Sequence, residues 1–327
     1  MNAIRTILAI VDPTAEQHPA VEKSAILAQK FDARLDLFVC DTKASREARA
    51  AARVRARPGE PSIVGAKPIV EELARPLRER GLDVTTEAAC SDPLHAALIA
   101  RARRTSADLV VKDTHHHSLV KRTFLTNTDW HLIRSCPVPL LLTKPTVWAS
   151  APIVVAAVDP GHVNDKPALL DNRIMDYAAL VSKRLGGDLH ILHAYLPQAI
   201  VAAAVASTPP TAMGVSERDF EIEADHRRQL VNALVAEYPV GAERLHVEVG
   251  GPAEVLPRVA AQLQADIVIM GAISRSGLKR AFVGSTAEDV LERLPCDAFI
   301  VQPPDFAEML PFDIYGRLSM PPLSLPW

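Results

Sequence analysis

Aromatic residues are scarce in this sequence, at 5% of 327 positions, too few for the stacking platforms on which single-stranded nucleic acids bind. Basic residues are not in excess either: 36 Lys and Arg face 39 Asp and Glu, a net charge of −3, so no field draws a polyanion. The Arg-rich stretches, such as Arg101–Arg104, alternate with alanine and read as solvated helix faces. No apolar run approaches the ~20 residues of a membrane span; the longest near the N-terminus, Ile7 to Val11, has strand length. The basic region and cleavage site of a secretory leader are also missing. Four cysteines (Cys40, Cys90, Cys136 and Cys296) form no CxxC pair and have no zinc-type His spacing. They read as reduced thiols in a cytoplasmic protein. Nucleic acid, membrane and structural metal are therefore not expected partners.

What is present is a repeat. Ile7-Leu-Ala-Ile-Val-Asp12-Pro13 returns as Val154-Val-Ala-Ala-Val158-Asp159-Pro160, and Ala107-Asp108-Leu-Val-Val111 as Ala265-Asp266-Ile-Val-Ile269. Cys136 to Leu142 resembles Pro295 to Val301. The second copy is longer in its middle, where residues 200–215 fall. Each copy alternates short apolar runs with amphipathic segments. Strands are expected near 5–11, 35–40, 82–88, 108–112 and 138–143, and again near 152–158, 188–194, 244–249, 266–271 and 297–302. Helices are expected near 17–31, 66–80, 93–105 and 123–135, then 166–185, 216–238, 253–264 and 284–294. Apolar runs without polar alternation signal strands buried on both faces. The alternation with helices predicts α/β architecture: two tandem doubly wound, Rossmann-like parallel sheets with right-handed crossovers. The expected boundaries are 1–146 and 152–303, joined by a short proline-punctuated linker and followed by a Pro-rich tail, 304–327.

In open α/β sheets ligands sit beyond the carboxyl ends of the strands. There the second copy carries Asp159, and its fourth strand runs into Met270-Gly271-Ala-Ile-Ser274-Arg-Ser-Gly277, after which Gly284-Ser285-Thr286 opens a helix. With only 14 glycines in the chain, three within one loop are informative. Small residues let backbone N–H groups approach an anion, and a helix N-terminus adds partial positive charge. The same residues equally fit a structural turn with Ser285 or Thr286 as helix cap.

Gly271-x-x-Ser274, nine residues, then Gly284-Ser285-Thr286 resembles the nucleotide-binding signature of the universal stress protein family. The strand end Val158-Asp159 and the Met270-Gly271 junction match it as well. The stretch Asp108–Lys112 to His117, with Thr128-Asp-Trp-His-Leu132 and Cys136-Pro137, resembles the N-terminal half of the tandem E-type members. The resemblance covers the chain to about residue 303. It implies a Usp-type fold packed as an intramolecular pseudo-dimer and a stress-response binding module with no catalytic centre. It further implies an ATP site in the second copy, with Asp159 at the adenine edge, Met270 and Gly271 at base and ribose, and Ser274, Gly284, Ser285 and Thr286 at the phosphates. Ser274 stands where the family has glycine. A slow ATPase, or an apolar ligand at the same edge, is the alternative, and a further homodimer is compatible with the pattern.

The first copy has Asp113-Thr-His115-His116 and Thr126-Asn127-Thr128 at the matching places, and a carboxylate there opposes phosphate. His115, His116 and His117, with His95 and His131, suggest a zinc site, but adjacent residues point different ways and do not share a tetrahedron, so a polar loop is the expectation. Segment 200–215 is apolar and uncharged, and Pro209-Pro210 with Gly214 argues against one continuous helix. It reads either as a lid or wall of the ligand site or as a loop docked on the other half, burying Val201 and Val205.

Overall fold

A computed structural model describes residues 3–42, 47, 65–89, 93–117, 122–161, 169–207, 216–274, 282–283, 285–304 and 306. In the first half the long strands are β1 (Thr6–Val11), β2 (Arg34–Cys40), β3 (Val84–Ala89), β4 (Leu109–Asp113) and β7 (Leu140–Thr143). The second half repeats them as β8 (Ile153–Ala157), β9 (Asp188–Tyr195), β10 (Leu245–Val249), β11 (Ile267–Gly271) and β14 (Asp297–Val301). Each half has the order 3-2-1-4-5, with its strands parallel. The two sets join edge to edge through an antiparallel β7–β14 ladder, Leu141 opposite Phe299. The result is one ten-stranded sheet, β10-β9-β8-β11-β14-β7-β4-β1-β2-β3, where the sequence suggested two separate ones.

Helices α1 (Pro19–Phe31), α2 (Lys67–Glu79), α3 (Leu94–Arg104) and α4 (Asn127–Ser135) flank the first half. The second is flanked by α5 (Leu170–Leu185), α6 (Gln198–Ala206), α7 (Glu217–Val235), α8 (Pro252–Leu263) and α9 (Ser285–Arg293). Local chemistry sets their ends: Pro19 opens α1, Ser216 and Asp219 form a capping box on α7, and Gly186 closes α5 in the left-handed region. These are the commonest start and stop devices of a helix.

The apolar runs are buried on both faces. Ile7, Ala9 and Val11 enter one cluster with α1, α2 and α5; Leu8 and Ile10 enter the other with α3, α4, α8 and α9. This is why the strands show no polar alternation. Two short hairpins, β5 (His115–His117) with β6 (Arg122–Phe124) and β12 (Ile273–Ser274) with β13 (Phe282–Val283), follow β4 and β11. Each reaches across the seam, β6 to α9 and β13 to α4. The linker is not loose. Lys144 and Trp148 are buried, and Trp148 Nε1 donates to Asp297 at 2.8 Å.

Segment 200–215 differs in part from expectation. Residues up to Ala206 continue α6, while 208–215 lie outside the described residues, as does most of the Pro-rich tail. The docked-loop alternative is overturned, because Val201 is 46% and Val205 84% exposed. Only Ala203 of α6 is buried. Its alanines favour helix, its first turn is held by Glu223, and Pro209-Pro210 follows beyond its end in sequence.

Candidate functional site

Strands β9 and β11 leave β8 on opposite sides, so a crevice opens between the carboxyl ends of β8 and β11. The register Ile269 opposite Ala156 carries Met270 and Gly271 to the same rim as Asp159. Asp159 donates its backbone N–H to Asp171 Oδ1 at 3.1 Å, and its carboxylate is 41% exposed. The side chain of Met270 is buried in the core with Val290, Leu291 and Ile300. At Gly271 a methyl group would lie 2.7 Å from Leu170 Cδ2, so the glycine lets the first turn of α5 pack onto β11. Ser274 pairs with Phe282 in the β12–β13 ladder. Ser285 and Thr286 open α9, with Thr286 exposed, and Gly284 lies outside the described residues. The topology thus gathers Asp159, Met270, Gly271 and the start of α9 at one carboxyl rim of the sheet.

Several residues at this rim were missed in sequence. His193, fully buried on β9, lies with Nδ1 3.1 Å from the Val158 carbonyl and 3.6 Å from Asp159 Oδ1. Its ring stacks on Tyr195 at 5.8 Å. Burial, then the nearby charge of Glu223, pushes the Tyr195 hydroxyl pKa up. The guanidinium of Arg227, from α7, covers the other side of this group, 5.5 Å from the Tyr195 ring. A histidine inside the apolar strand Leu189 to Tyr195 was a readable signal. Arg227, in a charged helix, gave none.

The first half is built differently at the same place. Asp113 ends β4, as Gly271 ends β11, and its Oδ1 accepts from the Ala20 N–H at the start of α1 and from Thr143 Oγ1, both at 2.7 Å. Burial pushes its pKa up to about 6, against the pull of these hydrogen bonds and of Lys112 and Lys23. At α4, Thr126 and Asp129 form a capping box: Asp129 Oδ2 accepts from the Thr126 N–H at 2.7 Å and from its hydroxyl at 2.8 Å. Lys112 Nζ lies 2.8 Å from Asp129 Oδ1. Two carboxylates of the chain itself thus occupy the helix N-termini that an external anion would use. His95 and His131 stack at 4.0 Å, and burial, then His131, lowers the His95 pKa. Among the described residues no three His, Cys, Asp or Glu side chains gather as metal ligands, and no helix is long and apolar enough to cross a membrane.

The model of the universal stress protein family matches residues 3–144 and 154–302. The chain belongs to this family. As a tandem universal stress protein it is similar over most of its length to universal stress protein E of Salmonella typhi, with 26% identity across 96% of this chain and 99% of the relative. Universal stress protein E of Escherichia coli K12 is also 26% identical, over 96% of this chain and 98% of its own. A solved protein of unknown function from Pseudomonas aeruginosa PAO1 shares 28% identity at a TM-score of 0.70, covering 94% of this chain and 95% of that one. A universal stress protein from Archaeoglobus fulgidus has the same fold, with a TM-score of 0.62 at 16% identity. The seam between the two stress-protein domains carries Lys23–Asp297 at 2.6 Å and Arg134–Glu288 at 3.3 Å.

Proposed function

We propose that this tandem universal stress protein is a cytoplasmic stress-response binding module that holds an adenine nucleotide, ATP, in its second domain only. The observation that carries the reading is the asymmetry of the two rims. In the first domain Asp113 and Asp129 fill the helix N-termini at the strand ends, and carboxylates there repel phosphate. In the second domain the positions matching Asp113 and Asp129 are Gly271 and Ala287, which carry no acid, and Glu288 in the first turn of α9 is paired with Arg134. Asp159, half exposed at the end of β8, supplies an acceptor for the amino edge of the base. Because Leu170 fills the space beside Gly271, phosphate contacts fall to Ser274, Gly284, Ser285 and Thr286, with Met270 shaping the floor. The donors at the start of α9 suit phosphate oxygens. The proposed domain limits remain 1–146 and 152–303, with 304–327 as the tail.

Mass spectrometry of ligand released from the denatured, purified protein tests this, together with calorimetric titration of ATP. The expected stoichiometry is one nucleotide per chain. Gly284→Val, which places a branched side chain in the phosphate turn, should abolish binding and leave the fold intact. Two nucleotides per chain, or an unchanged affinity in Gly284→Val, defeats the reading. ATP turnover lost on Asp159→Asn would make the protein a slow ATPase instead.

A further inference from the structure

On the side of β8 away from β11, Arg227 presents an arrangement that the nucleotide site does not use. The residue is only 6% exposed. Its guanidinium lies over Tyr195 and against Gly161, where a methyl group would collide with Nη1. Nη2 donates to Glu223 Oε1 at 3.2 Å. Nε is sealed from solvent and has no acceptor among the described residues. Arginine stays charged at every physiological pH, and Nε with Nη2 forms the fork that matches two oxygens of one anion. Here that fork is half filled. Buried donors normally find acceptors, so an empty one beside a cavity calls for an explanation.

A cleft of about 400 Å³ borders Arg227 and is walled also by Gly161, Gln198, Ile222, Glu223, His226 and Leu230. The volume suits a small organic ligand. Asp219 also borders it, but its carboxylate is committed to the N–H and hydroxyl of Ser216 at 2.8 and 2.7 Å. Glu223 is engaged twice, since it also accepts from the Gln198 N–H at 3.0 Å and so holds the first turn of α6. Both carboxylates keep their charge, so an anion enters only by displacing Glu223 from Arg227, and Ile222 and Leu230 offer apolar walls next to it.

We propose that this cleft binds a small organic oxyanion, a carboxylate or phosphate monoester on a short apolar body, with its head in the Nε–Nη2 fork of Arg227. Glu223 is the chain's own stand-in for that head. An incoming anion displaces Glu223 from Nη2 and leaves it on Gln198. The inference uses no residue of the nucleotide site and stands or falls separately from it.

The test titrates the full chain with hexanoate, hexyl phosphate and hexanol, by calorimetry and by amide shifts at Gly161, Tyr195 and Leu230. Saturable binding is expected for at least one anion, about tenfold or more tighter than for the alcohol, because the alcohol cannot accept two charge-assisted hydrogen bonds. Preference for one anion identifies the head group. Arg227→Met should abolish the difference between anion and alcohol, and Glu223→Gln should tighten anion binding by removing the competing charge. Equal binding of anion and alcohol, no anion binding, shifts confined to residues 270–286, or weaker binding in Glu223→Gln overturns the proposal. If Arg227→Met does not fold, Arg227→Lys decides, since it keeps the charge and loses the fork: wild-type affinity in that variant rejects the site.

Discussion

Asp113 and Gly271 end equivalent strands, and the difference between them is measurable. Burial raises the Asp113 pKa from 3.8 to about 6, so the folded state holds this proton more tightly than the unfolded chain. Its contribution to stability is full below about pH 4 and is lost as pH rises through 6. The magnitude is on the order of 2–3 kcal/mol. Relative to Asp113→Asn, which keeps the acceptor for Ala20 and Thr143, the wild type should lose urea resistance between pH 4 and 6 and no more above that. A flat difference across this range would contradict the buried, proton-holding carboxyl. Gly271→Ala is expected to cost about 1–3 kcal/mol by overpacking against Leu170, and that cost should shrink in a Leu170→Ala background, read as a double-mutant cycle of thermal melts. A glycine kept only for ligand approach would show no such coupling.

At the level of elements, most of the fold was legible because its signals are local. Runs such as Ile7–Val11 and Ile267–Met270 are buried on both faces, and the proline, glycine and capping residues at the helix ends act within one turn. What could not be read depends on the partner half. The two hairpins are two or three residues long and rest on a helix from the other domain, and no local pattern records that. Helix α6 was illegible for another reason: Gln198–Ala206 is apolar all round, with no stripe to mark an inner face. Of the proposed site, Asp159 and the glycine turn come from the family pattern. Asp129 as cap lies in a local Thr-x-x-Asp pattern that went unread, whereas Arg227 as buried cation required the tertiary contacts. Because α6 buries only Ala203 and is held at its start by Glu223, its amides 200–206 should exchange with deuterium at least about a hundredfold faster than those of α5 at 174–185. Equal protection would mean that α6 is anchored by more than this one contact.

Across the whole molecule, the two domains share one sheet and one buried ionic cluster. Asp297 Oδ2 accepts from Lys23 Nζ at 2.6 Å and from Trp148 Nε1, while Oδ1 accepts from the Lys144 N–H. Removing one partner of such a pair typically costs about 3–5 kcal/mol, because the other charge remains buried. Lys23→Met and Asp297→Leu should each destabilise by that order in urea unfolding, and the double variant by less than their sum. Additivity would show the pair to be uncoupled. With β7 and β14 hydrogen-bonded along the seam, unfolding should be a single transition. A chain ending at residue 146 bares the apolar edge Leu140–Leu142, and such edges recruit other strands. That fragment should elute as a dimer or larger species, and a stable monomer would deny the seam its role.

The antiparallel step at β7–β14 also fixes which way each domain faces. Since every long strand within a domain runs the same way, reversing direction at the seam turns the two carboxyl rims to opposite poles. A molecule seated at the Asp159 pole leaves the Asp113 pole untouched. A duplicated gene with this geometry has two outward faces under independent selection: one can close over its own acids and serve as ballast for the sheet, while the other goes on sampling ligands.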